Sequence, residues 1–443
     1  MLLIRRVELD GIGGLDVRCR DGRIVEIGRG LDASAGENTL DARGGALLPG
    51  LHDHHIHLFA LNAARRSVQC GPPAVTNQAA LRVALASATG NEWIRGVGYH
   101  ESVAGMLDRK MLDALRNDRP VRIQHRSGKM WFLNSEAIER LALEPASNGQ
   151  LFRQDDWLRS RLENETDLRG DVEETSLWLA SYGITGITET TPSNNNATAN
   201  LYDTLNLSQG VMLMGNEELA QGPLKIMLDD HALPDVDTFR QQITAAHEHD
   251  RPVAVHCVTR TELVFTVATF LEAGVIPGDR IEHASVTDDA TLELIARAGL
   301  TVVTQPNLIA ERGSQYLDEV ESSEHRYLYR CRSFLEAGIP LGGGCDAPFG
   351  QPDPWAAMHA AVTRQTADGR VIGECEALTP REALALFTSR AEDPGGPQRQ
   401  IAVGEPADLC LLDCSWAHAQ TRLRSEDVFA TIRASVVTFC TQR

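Results

Sequence analysis

Four histidines crowd one short segment of the chain, and their spacing sorts them into two pairs. The segment reads Pro49-Gly50-Leu51-His52-Asp53-His54-His55-Ile56-His57. In a β-strand, residues two apart point to the same side, so His55 and His57 can aim both imidazoles at one metal ion, with His52 and His54 facing away. Neutral imidazole is a good zinc ligand. Taken alone, the segment fits a cluster of histidines on a solvated turn equally well.

Three later segments each join an apolar, strand-like run to a potential metal ligand. His256 follows residues 253–255, His283 follows 280–282, and Asp346 follows 341–345. One βα unit needs roughly 30 residues, which places His256 and His283 on consecutive strands and Asp346 two strands later. Lys225 lies one unit before His256. All these positions fall at the C-terminal ends of predicted strands, where (β/α)8 barrels carry their chemistry.

The elements that must position these residues alternate along the middle of the chain. Predicted strands cover residues 225–228, 252–255, 280–282, 300–304 and 339–342, and predicted helices cover 237–249, 262–273, 288–298 and 326–337. Strands that alternate with helices predict parallel βα units and an α/β fold. A further helix is predicted to begin at Thr379, with Pro380 at its first helical position and Glu382 completing a capping box.

The two ends of the chain have a different character. Residues 1–48 and 404–443 are rich in short strand signals and turns, most clearly at 23–27 and 407–413. We expect residues 1–48 and 397–443 to form one small β-sandwich domain, and residues 49–396 to form a (β/α)8 TIM barrel. The stretch from about 60 to 170 does not follow the alternation and is predicted to be an insertion into the barrel.

The composition limits the partners of the chain. Its 443 residues carry a formal net charge of −19, which argues against non-specific binding to nucleic acid or to an anionic membrane surface. No apolar run is long enough to span a bilayer, and charge interrupts the N-terminus too soon for a signal peptide. Nine cysteines without a CxxC pair favour reduced thiols. We therefore expect a cytoplasmic protein with a small-molecule substrate. The sequence leaves open whether the chain forms a homo-oligomer.

The complete set of residues resembles the amidohydrolase superfamily. The pattern of that superfamily is HxH on strand one, a lysine on strand four, histidines on strands five and six, and an aspartate on strand eight. Wider similarity, over nearly the whole chain, narrows the resemblance to the YtcJ-like branch, called amidohydrolase family 3. The matching stretches are residues 108–115 with 120–137, 279–284 with 304–307, 345–348 with 360–364, and 404–409.

The resemblance implies a site for one or two divalent metal ions, expected to be Zn(2+). The implied ligands are His55, His57, Lys225, His256, His283 and Asp346. It also implies that Lys225 is carbamylated and bridges two metals. An ordinary lysine paired with Asp229 or Asp230 is the alternative, and Glu189 is a second-choice bridging carboxylate.

Such a site is expected to hydrolyse an amide-type C–N bond of a small molecule by a metal-activated hydroxide, giving an acid and an amine. Asp346 would accept the proton of the nucleophile and then deliver it to the leaving group. The alternative for Asp346 is a capping carboxylate after the glycine-rich turn 342–344. His125 is a second catalytic candidate.

Two segments depart from the family pattern. Relatives usually carry a second histidine after the counterpart of His125, and Gly-Asp soon after the counterpart of His256, whereas this chain has basic residues there. The predicted substrate-binding residues are Arg126, Lys129, Arg260, Gln305 and Asn307. Because arginine forks suit carboxylates, an anionic N-acyl substrate is expected. Surface salt bridges to the many acidic residues are the alternative.

The sequence leaves two alternative functions possible. A deaminase shares this barrel but often uses one metal and a glutamate proton shuttle, and Lys225 argues against that reaction. The second alternative is a non-catalytic metal-binding or regulatory protein, and the complete ligand set argues against it.

Overall fold

The computed structural model describes residues 1–89, 92–144, 147–162 and 169–441. The chain divides into two compact units, one made of Met1–His57 with Glu173–Arg443 and the other of Leu58–Val172. The predicted insertion at about 60–170 includes residues 90–91, 145–146 and 163–168, which lie outside the described residues, as do residues 442–443 of the predicted terminal domain. The domain boundaries drawn from the sequence stay predictions.

The two ends of the chain form two four-stranded sheets within the first unit. Their strands are β1 (Leu2–Leu9), β2 (Ile12–Arg20), β3 (Arg23–Gly28), β4 (Asn38–Asp41), β5 (Leu47–Pro49), β19 (Leu409–Leu412), β20 (Val428–Arg433) and β21 (Val436–Cys440). The strand orders are β3-β2-β1-β4 and β21-β20-β19-β5. Both sheets contribute to one apolar cluster, for example through Ile4 and Val17 of the first and Leu409 and Ile432 of the second. The antiparallel pairing of β5 with β19 joins the N-terminal and C-terminal segments.

Eight further strands of the first unit run parallel. They are β6 (Leu51–Ile56), β12 (Ile184–Glu189), β13 (Gly210–Leu213), β14 (Leu224–Met227), β15 (Val253–Cys257), β16 (Arg280–His283), β17 (Thr301–Thr304) and β18 (Leu341–Gly343). One sheet has the order β13-β12-β6, and the other β14-β15-β16-β17-β18. The predicted strands of the middle region are thus confirmed within one or two residues at each end. As predicted, His256 and His283 lie on consecutive strands.

Isolated parallel bridges connect these two sheets at both of their boundaries. Gly215, just after β13, bridges to Leu224 of β14, and Ile56 of β6 bridges to Ala347, just after β18. The His57 backbone N–H donates to the Ala347 carbonyl at 2.9 Å. These bonds bring the C-terminal end of β6 beside the end of β18, although the two strands are far apart in the chain.

Helices follow most of the parallel strands, and side-chain caps fix where several of them begin. The helices are α6 (Arg169–Ala180), α7 (Asn196–Tyr202), α8 (Val236–His247), α9 (Arg260–Ala273), α10 (Asp289–Ala298), α11 (Asn307–Glu319), α12 (Arg332–Glu336), α13 (Pro354–Thr363), α14 (Pro380–Ala385) and α15 (Trp416–Ala419). The Thr259 and Asp288 side chains each accept the backbone N–H three residues on. Thr379 forms the predicted capping box with Glu382, so that prediction is confirmed.

The predicted helix at 326–337 is wrong in its first half. A short 3-10 turn covers His325–Tyr327, and α12 begins only at Arg332. Between them, Leu328 forms an antiparallel bridge with Val286, and Tyr329 has a φ of 45°. An extended bridge and a left-handed residue both interrupt helical geometry, and periodicity alone cannot signal either of them.

The second unit is built on a mixed sheet of five strands. Its strands are β7 (Val68–Gln69), β8 (Ile94–Tyr99), β9 (Val121–His125), β10 (Met130–Leu133) and β11 (Gln150–Phe152), in the order β11-β10-β9-β8-β7. Its helices are α1 (Leu58–Arg65), α2 (Gln78–Ala86), α3 (Arg109–Leu115), α4 (Ser135–Arg140) and α5 (Asp155–Leu162). The parallel pairing of β8 with β9 places His100 and His125 at the same edge of the sheet.

The described helices include none that is long and apolar enough to cross a membrane. All nine cysteines are free thiols, and five of them are buried or half-buried away from the predicted site. Cys257 and Cys345, which flank predicted ligands, are fully buried. Burial raises the pKa of the Cys257 thiol, which is the behaviour of a small core residue.

Candidate metal centre

Three predicted ligands meet at the C-terminal ends of β6 and β18. The Asp346 Oδ1 atom lies 3.5 Å from His55 Nε2 and 3.6 Å from His57 Nε2. The ligand atoms of these three residues all lie within 4.8 Å of one another. His55 is 1% exposed and Asp346 8%. Two imidazole nitrogens and one carboxylate oxygen around a shared point are a typical donor set for a divalent metal.

Acceptor oxygens behind two of the histidines fix which ring nitrogen carries the proton. The His55 Nδ1–H donates to Glu282 Oε2 at 2.5 Å, and the His283 Nδ1–H donates to Gln305 Oε1 at 2.7 Å. Because an ionised carboxylate and an amide oxygen can only accept, the proton of each neutral ring lies on Nδ1. The Nε2 lone pair of both rings is therefore available to a metal.

The charge state of Glu282 supports this assignment. Burial alone would raise the pKa of its carboxyl group. The charges of Arg280 and Lys225 and the hydrogen bond from His55 instead hold that pKa well below its ordinary range. Arg280 Nε donates to the second carboxylate oxygen of Glu282 at 2.6 Å. Glu282 is thus an anion that orients His55.

The remaining predicted histidines lie against this group. The His283 ring centroid is 4.7 Å from that of His55 and 4.6 Å from that of His256. His256 is half-buried in β15. The four histidines predicted as ligands are therefore contiguous in space. His52 and His54 point away, since their Nε2 atoms bond to the hydroxyls of Thr188 at 2.9 Å and Ser389 at 3.0 Å.

Lys225 supplies the strongest test of whether the site fits a metal. Its Nζ atom is buried and, among the described residues, has no hydrogen-bond partner. Burial lowers the pKa of the Lys225 amine to about 8. The pairing with Asp229 or Asp230 considered as an alternative is absent. A buried amine beside histidines and carboxylates, without a partner, fits a site that is completed by a metal ion.

Unusual backbone geometry turns the ligands toward one another. Asp346 has a φ of 54° and His283 a φ of 73°, values in the left-handed region that side-chain-bearing residues rarely adopt. Gly344 allows the end of β18 to approach β6, because a Cβ atom there would lie 2.4 Å from His55 Cβ.

The buried position of Asp346 also changes its protonation. Burial raises the pKa of the Asp346 carboxyl to about 7.

Glu189, the second-choice bridging carboxylate, lies at the edge of this group. Its Oε1 is 4.0 Å from His57 Nδ1, which contacts Thr191 Oγ1 at 2.9 Å. The Tyr202 hydroxyl donates to Glu189 Oε2 at 3.1 Å. Glu189 therefore lies near His57 and accepts hydrogen bonds from the Tyr202 hydroxyl and the Thr191 backbone N–H.

Three predicted substrate-binding residues of the first unit have partners within the protein. Gln305 accepts from His283, and Asn307 Nδ2 donates to the Cys345 carbonyl at 3.0 Å. The Arg260 guanidinium lies on the Asp288 carboxylate and is 56% exposed. These contacts describe positioning and charge pairing, and the substrate-binding role of the three residues stays a prediction.

His125, the second catalytic candidate, belongs to a separate histidine cluster in the second unit. Its Nε2 lies 3.0 Å from Glu101 Oε2, and His100 Nε2 lies 3.4 Å from the same oxygen. The backbone N–H of Ser127 donates to His125 Nδ1 at 3.1 Å, and that of Ser102 donates to His100 Nδ1 at 3.3 Å. Both rings thus present an Nε2–H to the carboxylate.

The two other basic candidates follow β9 in the same unit. The Arg126 backbone N–H donates to the Tyr99 carbonyl at 2.8 Å. The Lys129 side chain is exposed, and its carbonyl accepts from the Arg153 N–H at 2.7 Å. Their proposed contact with substrate stays a prediction.

Sequence reasoning missed Glu282, which orients a ligand. Strand alternation predicts that consecutive residues face opposite sides, so Glu282 and His283 were not expected at one site. The left-handed φ of His283 ends the strand and breaks that alternation. A carboxylate directly before a predicted ligand histidine was the available signal.

Comparison with known proteins agrees with this geometry. A model of the amidohydrolase family matches residues 38–439. An N-substituted formamide deformylase of Arthrobacter pascens is 24% identical, covering 88% of this chain and 88% of its own. The putative amidohydrolase YtcJ of Bacillus subtilis (strain 168) is 29% identical over 40% of this chain and 35% of its own. An uncharacterized metal-dependent hydrolase from Pyrococcus horikoshii OT3 has a TM-score of 0.73 at 20% identity, covering 93% of this chain and 97% of its own.

The chain therefore belongs to the amidohydrolase family, in the branch called amidohydrolase family 3. It is a metal-dependent hydrolase that acts on carbon–nitrogen bonds other than peptide bonds. The resemblance recognised from the HxH segment and the later strand ends is confirmed. The likeness to the Pyrococcus structure supports the α/β fold.

Proposed function

We propose that this chain hydrolyses an amide-type C–N bond of a small N-acyl compound, using zinc held at the ends of its parallel strands. The observation that carries the proposal is the meeting of His55, His57 and Asp346, whose ligand atoms lie within 4.8 Å of one another. The Nδ1 protonation of His55 and His283 supports it, because it leaves the Nε2 lone pairs free to bind.

The proposed architecture is a (β/α)8 barrel with a β-sandwich made by the two termini. The bridges from Gly215 to Leu224 and from Ile56 to Ala347 support closure of the eight parallel strands into a barrel. The apolar cluster shared by the two terminal sheets supports the sandwich. The four predicted histidine ligands and Asp346 then fall at the C-terminal face of the barrel, where such enzymes carry their sites, whereas Lys225 is the second residue of β14.

Zinc is the proposed metal because the donor set mixes imidazole nitrogen with carboxylate oxygen, whereas calcium and magnesium prefer oxygen ligands. His55, His57 and Asp346 would hold one ion. His256 and His283 would hold a second, and Lys225 is the remaining ligand that the family resemblance implies. When bound, the metal polarises the substrate carbonyl and lowers the pKa of water from ~15.7 to about 7.

We propose that Lys225 carries a carbamate when the site is loaded. Its Nζ is buried without a hydrogen-bond partner among the described residues, and its pKa is lowered to about 8 by burial. A neutral amine can therefore form near neutral pH. Addition of its lone pair to the carbon of CO2 forms the N–C bond and releases one proton. The product is a carboxylate that can bridge two cations and neutralise part of their charge.

Asp346 is the proposed proton carrier. Its carboxylate would accept the proton of the attacking water and then deliver it to the nitrogen of the leaving amine. A carboxyl whose pKa is raised to about 7 by burial can do both near neutral pH. His55 stays neutral in this scheme, because burial lowers the pKa of its ring well below the ordinary value.

The substrate class is proposed from the named relative and from the basic residues of the chain. The Arthrobacter relative is an N-substituted formamide deformylase, so N-formyl compounds are the first substrates to test. Arg126, Lys129 and Arg260 are retained as candidate contacts to an anionic substrate group, and His125 as a second catalytic candidate.

The test combines metal analysis with a substrate screen. Protein purified without chelator should contain at least one equivalent of zinc, and it should release acid and amine from members of a panel of N-formyl, N-acyl, N-carbamoyl and cyclic amide compounds. Well under one equivalent of any transition metal would overturn the proposed centre. Ammonia released without an acid or amine product would favour the deaminase alternative, and a metal-loaded protein inert on the whole panel would favour the regulatory one.

A further inference from the structure

Arg312 is a basic residue of the first unit that the sequence analysis did not single out. It lies on the second turn of α11, the helix that follows β17. Its guanidinium donates to the carbonyl of Phe349. The Phe349 backbone N–H in turn donates to the Asp346 carbonyl at 2.7 Å, and the Phe349 ring stands edge-on to His57, with ring centroids 5.6 Å apart. Arg312 is therefore anchored to the turn that carries the proposed proton acceptor.

The guanidinium of Arg312 is near the centre in electrostatic terms as well. Burial raises the pKa of Asp346, and among the surrounding charges that of Arg312 opposes this most strongly. The same charge also lowers the pKa of the His283 ring, to which burial contributes most. Arg312 follows β17 and bonds to the turn after β18, so its charge lies close enough to act on both Asp346 and His283.

No carboxylate among the described residues lies within 4.0 Å of Arg312, although the chain has 61 acidic residues against 42 lysines and arginines. Among the described residues, its guanidinium donates only to the Phe349 carbonyl, which leaves most of its five N–H donors without a protein acceptor. Other arginines of the same unit have carboxylate partners: Arg260 on Asp288, Arg280 on Glu282, Arg330 on Glu376 and Arg332 on Glu382. The charge of Arg312 acts on Asp346 and Glu311 from a distance, but no carboxylate contacts the half-buried guanidinium directly, which leaves room for a carboxylate of a ligand.

We infer that Arg312 binds a carboxylate of the substrate and so makes this hydrolase selective for N-acyl compounds with an anionic group, such as N-acyl amino acids. The inference rests on the proposed function for the position of the scissile amide. A single guanidinium matches one carboxylate through paired N–H donors. A phosphate dianion is disfavoured here, since it would bring a second negative charge toward Asp346.

The experiment compares acid and amide forms of the same compounds. The probes are N-formylglycine, N-formylleucine and N-formylphenylalanine, each with its carboxamide. Arg312→Met should lower kcat/KM for the acids by about ten- to a hundredfold and leave the carboxamides within about twofold. Arg312→Lys should lose less, because it keeps the charge but not the fork. Arg370→Met is the matched control, since Arg370 bonds to Ser314 of the same helix but is paired with Asp368 at the surface.

A second readout separates this inference from the proposed function. Calorimetric binding of the acids to Asp346→Asn protein, with and without Arg312→Met, does not require turnover. If the acids bind in a way that depends on Arg312 but the wild-type protein hydrolyses no probe, the inference is supported and amide hydrolysis is not. The inference would be overturned if Arg312→Met lowered kcat/KM equally for acids and carboxamides, or if it changed neither hydrolysis nor acid binding. Either result would leave the proposed function standing. The inference would also be overturned if no acid bound to Asp346→Asn protein whose zinc content and circular dichroism spectrum match those of the wild type.

Discussion

The protein contains two clusters of histidine with carboxylate, and their hydrogen bonds give them opposite chemical characters. At the ends of β6 and β16, His55 and His283 donate from Nδ1 to acceptor oxygens, so their Nε2 lone pairs are free. After β8 and β9, His100 and His125 accept backbone N–H groups at Nδ1. Their Nε2–H groups therefore point at Glu101. The first arrangement suits a cation, and the second is satisfied by its own carboxylate.

The comparison teaches that ligand spacing alone does not define a metal site. Both clusters bring two imidazoles and a carboxylate within 4.8 Å. They differ in what lies behind the rings, because an oxygen acceptor or a backbone N–H selects the tautomer. They also differ in burial, since His55 is 1% exposed whereas the Glu101 side chain is 51% exposed. Burial makes an unneutralised donor set costly, which favours a bound metal in the first cluster.

The largest expected effect is on the proton carrier of the first cluster. Asp346→Asn should keep most of the metal but lower kcat by about a thousandfold, because the amide keeps the shape and cannot accept a proton. Steady-state kinetics and zinc content of the same preparation check this. Asp237→Asn makes the same chemical change at an exposed carboxylate that pairs with Arg240, and it serves as the control for activity loss. Turnover by Asp346→Asn near the wild-type rate would show that another group moves the proton.

Close approach of β18 to β6 is the next feature to test. In Gly344→Ala the new Cβ would lie 2.4 Å from His55 Cβ and 2.8 Å from the His55 backbone nitrogen. Displacement of His55 should lower stability by about 1–3 kcal/mol and reduce zinc content below the wild-type value. Thermal unfolding and elemental analysis measure both. Gly13→Ala is the control, because nothing lies within 4 Å of a Cβ at that position. Wild-type zinc content in Gly344→Ala would mean that His55 is not a required ligand.

Removal of the tautomer-fixing acceptor should have a smaller effect. Gln305→Met keeps the length of the side chain but removes the oxygen that accepts from His283 Nδ1. Loss of such an orienting partner typically weakens metal affinity by about tenfold or more. Competition with a chromophoric chelator measures the change. The matched change in the second cluster is Ser127→Ala, which should leave zinc affinity unaltered. Equal affinities for wild type and Gln305→Met would remove the tautomer argument.

The smallest expected effect concerns the second cluster. Glu101→Gln should leave the zinc stoichiometry unchanged and lower stability by less than about 1 kcal/mol, because the Glu101 side chain is 51% exposed. Burial would raise the pKa of Glu101, but a backbone hydrogen bond and His125 together lower it. Its contribution is therefore present at pH values above the ordinary carboxyl pKa and is lost as the pH falls through the lowered one. A drop of one zinc equivalent in Glu101→Gln would contradict the assignment of its tautomers.

Sequence periodicity predicted the strands that carry His55, His57, His256, His283 and Asp346, because alternation and βα spacing are repeated along the chain. It did not predict that Glu282 and His283 would face the same site. That arrangement depends on the left-handed backbone at His283, which no local pattern specifies for a histidine. The first half of the helix predicted at 326–337 was wrong for a similar reason, since the bridge of Leu328 to Val286 is a tertiary contact.

Arg312 shows a different limit of sequence reasoning. Its position in a helix after β17 gives no sign that its guanidinium reaches the turn at Phe349. The basic residues that the sequence did single out were noticed because they depart from a family pattern. Among them, Arg260 lies on Asp288 at the surface. Only the structure shows that Arg260 is paired with a carboxylate, whereas Arg312 has none in direct contact.

The hydrogen bond from the Asp346 N–H to the His55 carbonyl joins the first and the last of the eight parallel strands. This contact has a consequence for biosynthesis, because the two residues leave the ribosome far apart in time. The proposed ligand set cannot be complete until β18 has been synthesised and docked. Contacts of such high sequence separation also slow folding and expose intermediates to aggregation. Zinc uptake would then be one of the last steps of maturation, and a chain truncated before β18 would lack a complete site.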